Sequence, residues 1–341
     1  MAMAALELKY RTPEQGISDP GYFQFGDHKF RDDAKNGHGY VNMYTSIVAS
    51  CDTYYYILAR DMGVDVIHDF MQQFGFGQKT GIDLQGERVG VLPSKEWKRK
   101  TYKKESQQEW YSGETISLGI GQGYNTFTPM QMAFAMALLS NNGVAARPHL
   151  VKEIEDPVTH ERTPVTTEVV KLDHMKQAHF DFIKRAMVGV ARGGTARKVF
   201  GGTYYSTGGK TGTAQVFTVA QDRSYKSYYL SEFKRDHGLY IAFAPADKPR
   251  IAVAVIVENA GFGADSAAPI AKRAMDYFMA GRTDGSGSAG AGTSGGRAKP
   301  KKAAESGDKA PSDSPGNDQP QQQPAAAGPA AAPKEEKKQE K

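Results

Sequence analysis

The chain has 341 residues, 43 Lys and Arg against 38 Asp and Glu, and a formal net charge of +5 with the signs intermixed. Its basic residues form no aromatic-interleaved stripe, which argues against a nucleic-acid partner. One cysteine excludes an intrachain disulfide. No export signal is legible and no apolar run is long enough to span a bilayer; the best candidate, Ile251 to Val257, reads as a strand.

In chain order, Met1 to Leu8 is apolar and Ala-rich and predicts the second half of a buried helix with no cap in front. From this we expect the native sequence to begin earlier. Asp19 to Gly39 predicts a polar loop carrying Asp19, Asp27, His28, Asp32, Asp33 and His38. Tyr40 to Ala49 predicts a helix, interrupted at Ser50-Cys51-Asp52 and resumed from Thr53 to Arg60 with a stop at Gly63. Ser50 and Asp52 are also ordinary helix-capping residues. Val64 to Phe74 is an amphipathic helix. Lys79-Thr80-Gly81 then reads as a turn before a short strand, with no chemistry assigned. Arg88 to Tyr111, with both tryptophans, reads as surface structure over the core.

Ser117 to Gly123 has glycines near dinucleotide-fingerprint spacing, but its third glycine is misplaced and no strand–turn–helix unit surrounds it, which argues against a nucleotide site. Thr128-Pro129 starts a helix that stops at Asn141-Asn142-Gly143. Asp173 is expected to cap another, with Phe180, Ile183, Met187 and Val190 on one stripe and its end at Gly193-Gly194-Thr195-Ala196.

Ser206 to Phe217 then alternates. Thr211, Thr213 and Gln215 fall on one side, Gly212, Ala214 and Val216 on the other, the period of a strand with one face buried. An edge strand with Lys210, two hydroxyls and a bare glycine suits an extended ligand ending in a carboxylate, added as a further strand. After a polar loop (Asp222 to Asp236), Gly238 to Ala244 and Arg250 to Val257 predict a hairpin. Ser266 to Met279 predicts a closing helix with Ile270, Ala274 and Phe278 on one face. Helices packed on an antiparallel sheet make an α+β domain over residues 1–281. Residues 282–341, rich in Gly, Ser, Ala, Pro, Gln and Lys, hold no large apolar side chain and predict a disordered tail.

Ser50-Cys51-Asp52 and Lys210-Thr211-Gly212 stand in the order of two of the three motifs shared by penicillin-binding proteins and class A β-lactamases. Further segments recur around them: Phe74-Gly75-Phe76-Gly77, Thr80-Gly81-Ile82-Asp83-Leu84, Gly121-Gln122-Gly123, Thr128-Pro129-Met130-Gln131-Met132-Ala133 and Gly193-Gly194-Thr195-Ala196. In that order, over residues 1–281, they resemble the transpeptidase domain of class B penicillin-binding proteins. The Gly37-His38-Gly39 loop points to the cell-elongation type.

The resemblance implies a β-lactamase/transpeptidase-like fold and peptidoglycan cross-linking by serine acyl transfer. Stem peptides would be the substrates, β-lactams their mimics, and cell-elongation membrane proteins the partners, at the periplasmic face of the inner membrane. It implies that Ser50 relays a proton and that Lys210 supplies the field for a carboxylate held by the Thr211 and Thr213 hydroxyls. The Thr213 N–H would be half of an oxyanion hole. Asp52 stands where many relatives carry Asn, and near lysines it could be ion-paired. The family's Ser-x-x-Lys nucleophile motif, and two strands of the sheet, are expected ahead of residue 1. The two Ser-x-x-Lys matches present, Ser231 to Lys234 and Ser306 to Lys309, are out of order. The expectation is therefore an N-terminally truncated transpeptidase that forms no covalent β-lactam adduct alone.

No cofactor is required by this chemistry. Asp19, Asp32, His38 and Cys51 are donors that suit a structural zinc, as in some elongation-type members; a polar loop beside a buried thiol is the other reading. Two further functions stay open, a non-catalytic remnant or interaction module, and a β-lactamase or D,D-carboxypeptidase. An in-frame Ser-x-x-Lys in the DNA just upstream of Met1 would favour the enzyme over the remnant.

Overall fold

The computed structural model describes residues 1–216 and 231–281. The tail assigned to 282–341 and most of the loop beginning at Asp222 lie outside the described residues. Helix α1 (Ala2–Glu7) buries Met3, Ala4, Ala5 and Leu6. Four short strands follow: β1 (Ile17–Asp19), β2 (Tyr22–Phe25), β3 (His28–Arg31) and β4 (Gly39–Val41). β1 pairs with β4 and β2 with β3, both antiparallel. The polar loop expected over Asp19 to Gly39 is thus two small ribbons. Their strands are only three or four residues long, too short for apolar alternation to reveal them.

Helix α2 (Met43–Ala49) starts two residues after β4, with Asn42 and Thr45 forming a reciprocal cap. This replaces the expected start at Tyr40. α3 (Asp52–Met62), ending at Gly63, and α4 (Val64–Gln72) agree with the sequence reading. No strand follows Gly81. Asp83 instead accepts the Leu150 and Val151 amides. α5 (Lys95–Thr101) and α6 (Ser112–Leu118) frame the tryptophan-bearing segment. That segment is not only surface. Lys98 is 3% exposed, and its Nζ donates to both Glu114 oxygens at 2.6 Å and to the Glu109 carbonyl.

α7 (Pro129–Ser140) has the Thr128 cap and first-turn proline its sequence announces. β5 (Val144–Ala146) pairs with β8 (Val169–Lys171), and β6 (Glu153–Glu155) with β7 (Arg162–Pro164). α8 (Gln177–Arg192) begins after Lys176, not at Asp173, and lacks a side-chain cap. Its stripe is as expected, with Phe180, Ile183, Met187 and Val190 buried. α9 (Arg197–Phe200) leads to the central sheet.

That sheet holds β9 (Gly208–Ala214), β10 (His237–Ala244) and β11 (Ile251–Val257), antiparallel in the order β11-β10-β9. β9 is an edge, as its composition suggested, but it stops at Ala214. There Gln215 leaves the ladder and the Val216 amide donates to Asp236. Lys210 pairs with Ile241, Gly212 with Leu239 and Gly208 with Phe243, so these residues share one face. A Cβ on Gly208 would lie 2.5 Å from the Phe243 ring and 3.3 Å from Met187 of α8, so this face looks toward α8. α10 (Ala267–Met279) packs on β10 and β11. Its buried residues are Ala267, Ala268, Ala271 and Met275, whereas Ile270 and Ala274 are exposed and Phe278 is half-buried. The stripe of Ile270, Ala274 and Phe278 is thus not the buried side of the helix. Alanine allows close helix–sheet packing, and the larger residues do not mark the buried side.

Candidate active site

Ser50 ends α2 in the left-handed conformation, φ 61° and ψ 46°. This is an uncommon place for a non-glycine residue. It breaks the helix, so that α3 restarts at Asp52 and the Ser50 side chain stands at the junction. Across the cleft, Lys210 Nζ donates to Ser50 Oγ at 2.7 Å and to the Thr211 carbonyl at 3.0 Å. Two residues 160 positions apart are therefore joined by one hydrogen bond. Burial lowers the Lys210 pKa to about 8, against the pull of Asp52, which raises it.

Asp52 lies in the first turn of α3. Burial pushes its carboxyl up to about 7; Asp32 and Asp33 push the same way, and Lys210 and His38 oppose them. The ion pair imagined for Asp52 is thus a through-space coupling to Lys210.

Gln122 Nε2 donates to the Thr213 carbonyl at 3.4 Å, so that carbonyl faces away from β10. A strand residue's N–H and C=O point to the same side, so the Thr213 N–H faces the same open edge. Gly212 pairs inward with Leu239, and a Cβ on it would meet the Leu239 Cβ at 3.3 Å. On the far side of that seam, a Cβ on Gly263 would lie 2.2 Å from the Leu239 carbonyl oxygen and 2.3 Å from that of Gly212. Thr211 Oγ1 is 2.8 Å from Thr195 Oγ1. Sequence reasoning assigned no role to Gln122 or Thr195. The only signal for either was its place among recurring glycine-bearing segments.

The four possible metal donors are also brought together. One ligand atom from each of Asp19, Asp32, His38 and Cys51 lies within 4.8 Å of the others, and only His38 is not fully buried. Asp19 Oδ2 sits 2.8 Å from His38 Nδ1 and 3.4 Å from Cys51 Sγ, and His38 Nδ1 lies 3.6 Å from Asp32 Oδ1. Asp32 Oδ2 accepts the Thr53 amide at 3.0 Å, tying the cluster to the start of α3. Burial would raise the Asp19 carboxyl, but the hydrogen bonds it accepts hold it below its usual range. Burial drives the Cys51 thiol far upward, which disfavours a thiolate unless a cation compensates. Two carboxylates, an imidazole and a thiol converging in one buried spot fit zinc by donor type and number.

The second Lys-Thr-Gly copy does not reach the cleft: Thr80 is buried and bonded to Glu87 through its amide and its hydroxyl. Ser231 and Lys234 sit on an exposed 3-10 turn.

The family profile described as "Penicillin binding protein transpeptidase domain" matches residues 1–276. The chain belongs to this family. It is 46% identical over 285 residues to "Peptidoglycan D,D-transpeptidase MrdA" of Acinetobacter baumannii, covering 82% of this chain and 41% of that protein. With the protein of the same name from Escherichia coli K12 it shares 38% identity over 286 residues, 82% of this chain and 44% of the other. The chain thus spans less than half the length of these relatives. Among solved structures it resembles Pseudomonas aeruginosa PBP2 in complex with WCK 5153 (TM-score 0.67, 43% identity, 82% of this chain, 56% of that one). It also resembles the PBP2 of the Helicobacter pylori PBP2–MreC complex (TM-score 0.66, 29% identity, 82% and 48%). The fold is accordingly the α+β transpeptidase type, a family of serine enzymes that needs no cofactor. Among the described residues no helix is long and apolar enough to cross a membrane.

A pH dependence follows from Lys210. A carboxylate ligand favours the charged ammonium, so affinity is full below pH 8. It falls by roughly tenfold per pH unit above that, as binding must take up a proton. Titrating a peptide carboxylate between pH 6.5 and 9.5 checks the sign; affinity that rises with pH contradicts it.

Proposed function

We propose that residues 1–281 are the peptide-recognising part of a peptidoglycan D,D-transpeptidase, with β9 as the edge on which a stem peptide ending in D-alanine lies. The observation that carries this is the 2.7 Å bond from Lys210 to Ser50, which puts a hydroxyl and an ammonium beside an open strand edge. In this reading Lys210, Thr211 and Thr213 hold the terminal carboxylate. The outward Thr213 N–H supports an oxyanion, and Ser50 Oγ, hydrogen-bonded to Lys210, is placed to pass a proton to a leaving amine. Asp52 sets the field behind Lys210. The nucleophilic serine and its lysine base belong to the Ser-x-x-Lys motif, which no segment ahead of Ser50 in this chain supplies.

The test is equilibrium binding of a fluorescent penicillin to the purified 341-residue chain, competed by N-acetyl-L-Lys-D-Ala-D-Ala. Reversible, competed binding with no label surviving a denaturing gel is expected. A surviving adduct would place a nucleophile within this chain, and no binding at all would remove the reading.

The likeness to PBP2 proteins, one of them solved with MreC, supports action at the periplasmic face of the inner membrane beside cell-elongation membrane proteins. Asp19, Asp32, His38 and Cys51 would hold a zinc that cross-links the β1–β4 region to the Ser50–Asp52 junction. The metal is structural in this reading and takes no part in acyl transfer. One zinc per chain is expected by elemental analysis, falling to near zero in Cys51→Ala. Stripping it should lower the thermal midpoint by several degrees, since binding energy at such a site is folding energy. Metal content that is unaffected by Cys51→Ala would contradict the assignment.

A further inference from the structure

We propose that Thr195 is a further substrate-binding residue of this site, its hydroxyl joining that of Thr211 as a paired donor for the peptide's terminal carboxylate; this rests on the transpeptidase reading above. Thr195 lies in the turn after α8, held from both sides. A Cβ on Gly194 would come within 2.3 Å of the Val48 carbonyl, so this turn abuts α2 two residues before Ser50. On the other side Ala196 is buried, and its amide donates to the Val190 carbonyl at 3.2 Å. Between these anchors the Thr195 side chain is exposed to the cleft side of β9, with Oγ1 2.8 Å from Thr211 Oγ1.

Two hydroxyls at that distance carry two protons, and only one can lie between them. The other is free to turn to a ligand. When an anion arrives, both can turn, each donating to a carboxylate oxygen, and such charge-assisted bonds are stronger than the hydroxyl–hydroxyl bond they replace. Lys210 Nζ, bonded to the Thr211 carbonyl, sets positive charge beside the pair. A neutral carboxamide offers one acceptor in place of two and gains less. The Thr195–Thr211 pair therefore selects for a free carboxylate, beyond the general attraction of Lys210.

The experiment measures dissociation constants of N-acetyl-L-Lys-D-Ala-D-Ala and of the same peptide with a C-terminal carboxamide. The 341-residue chain is compared with Thr195→Val, Thr195→Ser and Lys210→Ala, each checked for an unchanged thermal midpoint. Thr195→Val should weaken the carboxylate peptide by about tenfold and leave the carboxamide nearly unchanged. Thr195→Ser, which keeps the hydroxyl, should stay within about threefold of the parent. A loss on both peptides alike would mean that Thr195 only shapes the strand, and no loss on either would mean that it does not reach the ligand; both overturn the proposal. If the parent prefers the carboxylate and Lys210→Ala abolishes that preference while Thr195→Val keeps it, only the Thr195 assignment falls. If the parent shows no preference, the site reading falls with it.

Discussion

Replacing Lys210 by alanine should weaken binding of a stem-peptide carboxylate or a penicillin by roughly 100-fold while leaving the fold in place. Hydrogen bonds to charged groups are worth about 1.5–3 kcal/mol, and the Lys210 ammonium is bonded directly to the Thr211 carbonyl on that edge. The fold should survive because burial already disfavours the charged lysine, which lowers its pKa. Its removal leaves behind a half-buried Ser50 hydroxyl that water can satisfy, and the Asp52 carboxyl, which loses the opposing charge and takes up a proton more readily. Lys210→Arg should recover only part of the affinity, since a planar guanidinium cannot reproduce bonds to both Ser50 Oγ and the Thr211 carbonyl from one nitrogen. Calorimetric titration with thermal melts checks both halves. Unchanged affinity, or a collapsed fold, would contradict the account.

Removing one partner of the Lys98–Glu114 pair should destabilise the chain by about 3–5 kcal/mol, the cost of stranding a buried charge. The side chains are 4% and 8% exposed. Glu114 also accepts from the Tyr124 hydroxyl at 2.8 Å and from the Tyr111 amide, and the Trp110, Tyr111 and Tyr124 rings stand around the ammonium. Lys98→Ala leaves the Glu114 carboxylate buried, and Glu114→Ala leaves the ammonium. Lys98→Met with Glu114→Leu removes both charges and should regain most of the loss, because desolvation costs vanish together with the attraction. The single variants should also weaken ligand binding, since Tyr124 is two residues beyond Gln122, which touches the Thr213 carbonyl. Denaturant unfolding of the four proteins measures this. Single variants as stable as the parent would show the pair to be exposed in solution.

The site's two halves were legible because each carries its own local chemistry. Ser50 and Asp52 interrupt a helical pattern, and Lys210 to Thr213 alternate along an edge strand with polar atoms toward one side. Thr128 and Pro129 announced α7 for the same reason, because a cap and a first-turn proline act on neighbouring amides. What the sequence hid depends on contacts distant in the chain. Lys98 and Glu114 read as surface charges until folding buries them together. Thr195 has no local pattern of its own; its meaning comes from lying 2.8 Å from Thr211. The ribbons between Ile17 and Val41 were missed because their strands hold each other by backbone pairing and by Asp19 and Asp32, with little apolar alternation to read. The two Lys-Thr-Gly copies show the converse. Identical triplets differ entirely in setting, one bonded to Glu87 in a turn and the other lying along an open edge.

A crystal structure of the 341-residue chain with N-acetyl-L-Lys-D-Ala-D-Ala tests the central claim most directly. The account predicts the peptide lying along the outer edge of β9, its terminal carboxylate among Lys210, Thr211 and Thr213, and its D-alanine carbonyl facing the Thr213 amide. A peptide bound elsewhere, or one whose carboxylate points away from Lys210 with Ser50 outside the same cleft, would contradict it.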